Sequence, residues 1–213
     1  MSRKTDPFAI DLTPDLIVRA YHAGIFPMAE DATSPDVFWV SPKRRGILPL
    51  DSFHVSKSLR KALRAHTLQV KVDTDFEGVV EGCATAGTDR ESTWINPTLR
   101  DLYGQLFKRG QCHTVEVWDA DRLVGGLYGL SLGAVFFGES MFHRVTDASK
   151  IALVHLVTRL RAGGYVLCDT QFITDHLRTF GGIEISREDY DERLADGLAR
   201  TGDFFALDRR PSP

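Results

Sequence analysis

Two places in this sequence hold residue types that could do chemistry. Glu139 stands in an otherwise apolar run, Val135-Phe136-Phe137-Gly138-Glu139-Ser140-Met141. A carboxylate there is costly unless it is paired or binds a cation. Gly138 beside it allows close approach of another backbone or a substrate. Alternation along a strand puts Phe137, Glu139 and Met141 on one face. The structural alternative for Glu139 is an ion pair with Lys150. The second place is Asp169 and Gln171, two residues apart at the end of a predicted strand Tyr165–Asp169, with Tyr165 and Leu167 before them on the same face. Such an aspartate orients the neighbouring amide, accepts a proton from a substrate, or simply satisfies backbone donors at a strand end.

Other chemistries find little support. There is no GxSxG elbow for a serine nucleophile. The seven histidines include no HExxH and no close pair at ligand spacing, so no metal is expected. Cys83, Cys112 and Cys168 are widely spaced and odd in number, which fits buried, reduced thiols rather than a disulfide framework.

The elements that must position these groups are readable from turn chemistry and periodicity. Thr13-Pro14 predicts an N-cap and first residue of a helix with Leu16, Ile17, Ala20 and Tyr21 on its apolar face and Gly24 at its end. The stretch from Pro27 to Leu50 is rich in turn residues and predicts short strands and loops. Ser56 predicts the cap of a second helix, with Leu59, Ala62 and Leu63 inward. From residue 67 the pattern is regular: a strand at Leu68–Val72, helices at Asp75–Cys83 and Thr98–Lys108, and three antiparallel strands at His113–Trp118, Leu123–Ser131 and Ala134–Phe142. An apolar helix at Ala148–Ala162 follows, then the strand Tyr165–Asp169, a short helix at Asp175–Phe180, a strand at Ile183–Ser186 and a polar helix at Asp189–Arg200. The tail after Arg209 is expected to fray.

At 213 residues, 43% hydrophobic and 26% charged, the chain is long enough to build a sizeable core. No apolar run reaches the ~20 residues of a membrane span, and Met1–Phe8 has no apolar signal core, so a cytoplasmic protein is expected. The predicted class is α/β (α+β): a mixed sheet flanked by helices over 67–213, with a small α/β domain over 1–66. This element order is similar to that of the GNAT acetyltransferases. Those enzymes hold the CoA pyrophosphate on a glycine-rich turn before the central helix. Here that segment is Phe142-His143-Arg144-Val145-Thr146-Asp147-Ala148-Ser149-Lys150, without glycine, which argues against an acyl-CoA-dependent N-acyltransferase.

The net charge of −3 hides an uneven distribution. Residues 1–64 carry ten Lys or Arg against seven Asp or Glu, whereas the rest carry sixteen against twenty-two. Lys43, Arg44 and Arg45 stand close to Lys57, Arg60, Lys61 and Arg64, which recur at helical spacing. Such a stripe is either a solvated helix face or a local attraction for a polyanion.

Several segments resemble one family, the leucyl/phenylalanyl-tRNA–protein transferases. They are Tyr21-His22-Ala23-Gly24-Ile25-Phe26-Pro27-Met28, Trp39-Val40-Ser41-Pro42, Thr93-Trp94-Ile95, His113-Thr114-Val115-Glu116-Val117-Trp118, Leu123-Val124-Gly125-Gly126-Leu127-Tyr128-Gly129, Phe137-Gly138-Glu139-Ser140-Met141-Phe142, Ala148-Ser149-Lys150 and Asp169-Thr170-Gln171. The resemblance spans roughly residues 8 to 195 and is most specific at Gly-Glu-Ser-Met-Phe followed by Ala-Ser-Lys.

It implies transfer of Leu or Phe from charged tRNA to the α-amino group of proteins beginning with Arg or Lys, marking them for degradation by the N-end rule. It also implies a fold with a small N-terminal domain before a GNAT-like unit. The ester is already activated, so no cofactor is implied, and a monomer with tRNA and protein partners but no membrane partner is expected. Matching positions imply that Asp169 and Gln171 act in catalysis and that Glu139 holds the aminoacyl α-amino group. They imply an aminoacyl pocket of Leu127, Phe136, Met141, Leu153 and Leu156, and adenosine contacts from Trp39, Trp94 and Tyr103. Leu127 departs from a methionine at this position in a relative, which would narrow or stiffen the pocket. Lys43, Arg44, Arg45, Lys57, Arg60, Lys61 and Arg64 would then face tRNA phosphates.

Overall fold

A computed structural model describes residues 12–85 and 93–209. The stretch Met1–Phe8 and the tail after Arg209 lie outside the described residues. The chain opens with α1 (Pro14–His22), whose first turn is capped by Thr13 accepting from the Leu16 amide at 3.2 Å. Gly24 closes it at a φ of 68°, a left-handed turn that glycine makes without strain. The turn-rich stretch then forms a hairpin, β1 (Phe26–Ala29) with β2 (Val37–Val40), and a separate strand, β3 (Arg44–Ile47). Ser56 caps α2 (Lys57–Ala65) as expected.

The remaining elements are β4 (Gln69–Val72), α3 (Phe76–Thr85), α4 (Pro97–Lys108), β5 (Cys112–Asp119), β6 (Arg122–Leu132), β7 (Val135–His143), α5 (Ala148–Ala162), β8 (Leu167–Gln171), α6 (Asp175–Arg178), β9 (Ile183–Ser186) and α7 (Arg187–Leu198). Seven strands form one mixed sheet in the order β4-β5-β6-β7-β8-β3-β9. Apolar side chains of α1, α3, α4 and α7 share one core with Leu130 and Phe137 of the sheet. Those of α2 and α5 share the other with Leu127, Phe136 and Cys168. The architecture is the α+β class predicted, a sheet with helices on both faces.

Three features depart from the sequence pattern. First, β3 inserts between β8 and β9, antiparallel to both. Residues 44–47 lie on the N-terminal side of the expected division at residue 66, yet belong to the same sheet as every strand described after it. Second, Tyr165 does not share a face with Asp169. The strand starts only at Leu167, after the Gly163-Gly164 turn, and Tyr165 and Leu167 pack in opposite cores.

Third, Phe137, Glu139 and Met141 do not share a face. The pairing of β6 with β7 slips by one residue, so that Gly129 faces Gly138 while Tyr128 faces Ser140. Glu139 is the extra residue of a β-bulge, and the bulge reverses the side-chain phase. Phe137 therefore lies in the core of α1 and α4, and Met141 in that of α5. Gly129 makes this possible: a Cβ there would collide with the Phe137 carbonyl oxygen and the Phe136 ring.

Candidate active site

Among the described residues the sheet has one parallel pair, β7 with β8, and it comes apart. The two strands pair only at Val135–Phe137 against Leu167–Asp169. Beyond that, β8 turns to β3 and β7 runs on alone on that side as far as His143. Residues 138–141, in the middle of a sheet, are consequently only half-buried. This open wedge between parallel strands is where a substrate can reach the backbone and side chains of β7.

Glu139 projects into the wedge. Tyr21 of α1 donates to its Oε1 at 2.7 Å, and Tyr103 of α4 donates to its Oε2 at 3.1 Å. The two phenol oxygens are 2.7 Å apart. Gln171 Nε2 approaches Oε1 at 3.4 Å. The carboxylate is surrounded by protein yet keeps part of its surface open. That burial pushes its pKa up to about 8, against the two tyrosine hydrogen bonds, which pull it down; the charge of Asp169 adds to the rise and Arg45 offsets it. The same burial, with the glutamate nearby, holds both tyrosines well above their ordinary range, so they remain neutral donors. The ion pair with Lys150 that sequence offered for Glu139 does not form: Lys150 Nζ binds Asp147 Oδ1 at 2.6 Å.

Asp169 stands behind this group, completely buried. The guanidinium of Arg45 grips it with Nε at 2.9 Å from Oδ1 and Nη2 at 2.6 Å from Oδ2. Tyr190 of α7 donates to Oδ2 at 2.7 Å, and the Gln171 amide donates to Oδ1 at 2.8 Å. The last bond draws Gln171 back. The Phe172 amide meets the Thr170 carbonyl at 2.6 Å, and Gln171 is left at a φ of 56°. A three-residue turn with a positive central φ is the rarer, strained hand, and a non-glycine residue holds it only where its surroundings over-determine it. Here that strain aims the Gln171 amide at Glu139.

Arg45 corrects the sequence expectation. It is 1% exposed, sandwiched between the Phe26 and Tyr190 rings at 4.6 Å from each, and its Nη1 donates to the Gly24 carbonyl at 3.1 Å. A side chain so enclosed meets no tRNA phosphate. Burial alone would weaken the charge, and the hydrogen bonds and charge of Asp169 more than restore it. Tyr103 is likewise corrected as a stacking surface: it is 1% exposed, and what it offers is its hydroxyl. Trp94 meets it edge-on at 6.4 Å and is half-buried, while Trp39 on β2 is exposed. Lys43, Arg44, Lys57, Arg60, Lys61 and Arg64 are exposed or partly so, and Arg44 also lies 3.8 Å from Glu184.

Leu127, Phe136, Leu153 and Leu156 are buried in the α5 core, and Met141 packs against them from the half-open stretch of β7. The C-terminal segment backs this wall. Phe204 lies parallel to Phe136 with centroids 5.8 Å apart, and Arg159 ties it down by bonding the Phe204 carbonyl at 2.7 Å and both Asp208 carboxylate oxygens at 2.6 and 2.7 Å. Among the described residues no three His, Cys, Asp or Glu side chains gather as a metal would require.

Sequence reasoning gave Tyr21 and Tyr190 no role in the site and gave Arg45 a different one. Two signals were available. A tyrosine on a buried helix face needs a partner for its hydroxyl, and Arg45 alternates with apolar Ile47, which placed it on the buried face of β3.

A family model described as leucyl/phenylalanyl-tRNA protein transferase matches residues 47–195, and one described as its N-terminal domain matches residues 10–43. The chain belongs to the leucyl/phenylalanyl-tRNA–protein transferase family. Members of this family are aminoacyltransferases. A protein of Ruegeria sp. (strain TM1040) named leucyl/phenylalanyl-tRNA–protein transferase is 58% identical over 202 residues, 95% of this chain and 94% of that one. Its namesake in Rhodopseudomonas palustris (strain BisB18) is 54% identical over 202 residues, 95% of this chain and 88% of that one. Among solved structures, that of L-PGS from Bacillus licheniformis overlaps 85% of this chain and 69% of its own, at 11% identity and a TM-score of 0.44. Within the transferase family assignment, Arg45 falls in the short gap between the two matched segments.

Proposed function

We propose that this chain moves Leu or Phe from charged tRNA to the α-amino group of proteins that begin with Arg or Lys, in the cytoplasm, marking them for N-end-rule degradation. The single observation that carries this reading is Glu139 in the wedge: a half-open carboxylate, held by two phenols, beside a strained glutamine and next to an apolar wall. It fits an aminoacyl group, which has a cationic amine and an apolar side chain one bond from a reactive ester. Residues 67–213 are read as a GNAT-like unit whose splayed strands hold the acyl donor, with 1–66 as its smaller companion.

In this mechanism Glu139 binds the α-ammonium of the aminoacyl ester. Leu127, Phe136, Met141, Leu153 and Leu156 receive its side chain. Trp39 and Trp94 take the terminal adenine, as exposed or half-exposed rings do with unpaired bases. Gln171 has a second amide N–H to offer the ester carbonyl as it becomes an oxyanion. The acceptor nitrogen forms a bond to the carbonyl carbon, the bond to the ribose oxygen breaks, and the proton lost by nitrogen ends on that oxygen. Asp169 already accepts from Arg45, Tyr190 and Gln171, so its role is to aim Gln171 and not to carry the proton. Positioning of two substrates supplies the rate.

Radiolabelled Leu-tRNA incubated with a protein bearing N-terminal Arg is expected to yield acid-precipitable label, and no transfer would refute the reading. The exposed face of α2 is read as the acceptor-stem contact, recognised by shape. Lys57→Ala, Arg60→Ala and Lys61→Ala together should weaken tRNA affinity and reduce the slope of log affinity against log salt by up to about 3, roughly one for each phosphate those side chains neutralise. An unchanged salt slope would remove α2 from the interface.

A further inference from the structure

Beyond the wedge, where β7 and β8 end, lies an open recess of about 520 Å³. One wall is the turn from β7 into α5, with His143, Arg144, Asp147, Ser149 and Lys150; the other is His176 of α6, reached from β8 through Gln171. The carboxyl ends of parallel strands are where ligands settle in open α/β sheets. The recess carries four basic side chains against one acid. Arg144 is partly committed, donating to the Leu123 carbonyl at 2.8 Å and lying over the Phe142 ring. Lys150 is shared with Asp147. His143 meets Ser149 at 3.4 Å.

Two observations mark the recess as an incomplete site. The Nε2 of His176 is buried and, among the described residues, has no hydrogen-bond partner. Nor does a side chain cap the first turn of α5, because Asp147 binds Lys150 instead of the helix amides. A group that enters here and accepts from His176 and those amides would give both the partner they lack, with Lys150 beside it as a counter-charge. The positive surroundings already act on His176, whose pKa is lowered by burial and then by the charges of Lys150 and His143.

We infer that this recess binds a backbone phosphodiester of the single-stranded 3′ end of the tRNA, held by His176 and Lys150. The inference rests on the proposed aminoacyl transfer, since the ester in the wedge places the adjoining ribose–phosphate strand at the mouth where the recess lies. Terminal phosphate contact would add affinity close to the reacting bond, separately from the stem contact at α2.

The test compares two donors: phenylalanyl-adenosine, which has no phosphodiester, and phenylalanyl-CCA, which has two. With the native chain, kcat/KM should be higher for the trinucleotide, and the advantage should shrink as salt is raised. The His176→Ala/Lys150→Ala variant should lose about tenfold or more with phenylalanyl-CCA, the loss expected for charge-assisted hydrogen bonds. Its kcat/KM with phenylalanyl-adenosine should be unchanged. Equal loss on both donors, or no loss on either, overturns the inference. Failure of the native chain to transfer from either donor would instead overturn the proposed function.

Discussion

Arg45→Ala should destabilise the protein by about 3–5 kcal/mol, read as a lower urea midpoint at unchanged m-value. The reason is what remains. Asp169 is fully buried, and without the guanidinium its charge would keep only the Tyr190 hydroxyl and the Gln171 amide. Removing one partner of a buried pair leaves an uncompensated charge, which costs far more than the pair contributes. Arg45→Lys should recover little, because an ammonium cannot reproduce the fork that spans both Asp169 oxygens and the Gly24 carbonyl. A loss below about 1 kcal/mol, the range of an exposed pair, would show that Arg45 is not the counter-charge.

The second large effect separates activity from stability. Glu139→Gln should lower kcat/KM for the aminoacyl donor by about a hundredfold or more, because in the proposed mechanism a carboxyl that ionises to pair with the substrate ammonium is replaced by an amide that cannot. The same change should stabilise the fold at alkaline pH. A carboxyl raised from its ordinary value near 4.5 to about 8 is bound to a proton in the folded chain while the unfolded chain has released it. Native stability therefore falls as pH rises between those two values. A neutral glutamine escapes that fall, so the variant should match the native chain near pH 4.5 and exceed it by about 2 kcal/mol above pH 8, discounting the full shift because the group is partly open. A constant difference between pH 5 and 9 would mean that Glu139 does not titrate in this range.

The sequence was informative where local rules act alone. Thr13 and Ser56 cap their helices, Gly24 ends one, and α5 runs over Ala148–Ala162 as its apolar length predicts. Glu139 stood out because a carboxylate in an apolar strand needs a reason. What could not be read there arises from pairing between distant segments. The bulge at Glu139 depends on the register of β7 against β6, and a one-residue slip is invisible in either strand alone. Arg45 looked like one more member of a basic cluster because its charge is legible and its burial is not. Only the insertion of β3 beside β8 turns it inward, to a partner 124 residues away.

That separation has a consequence for the birth of the molecule. The ribosome releases Arg44–Ile47 long before β8 and β9, between which they must lie. Until then β3 has no neighbour, and contacts of such long range form late. A chain stalled before Gln171 has no aimed amide, and one stalled before Tyr190 has an incomplete grip on Asp169. On the proposed mechanism the nascent polypeptide transfers no aminoacyl group until α7 has emerged, and a product truncated before Tyr190 should be inactive.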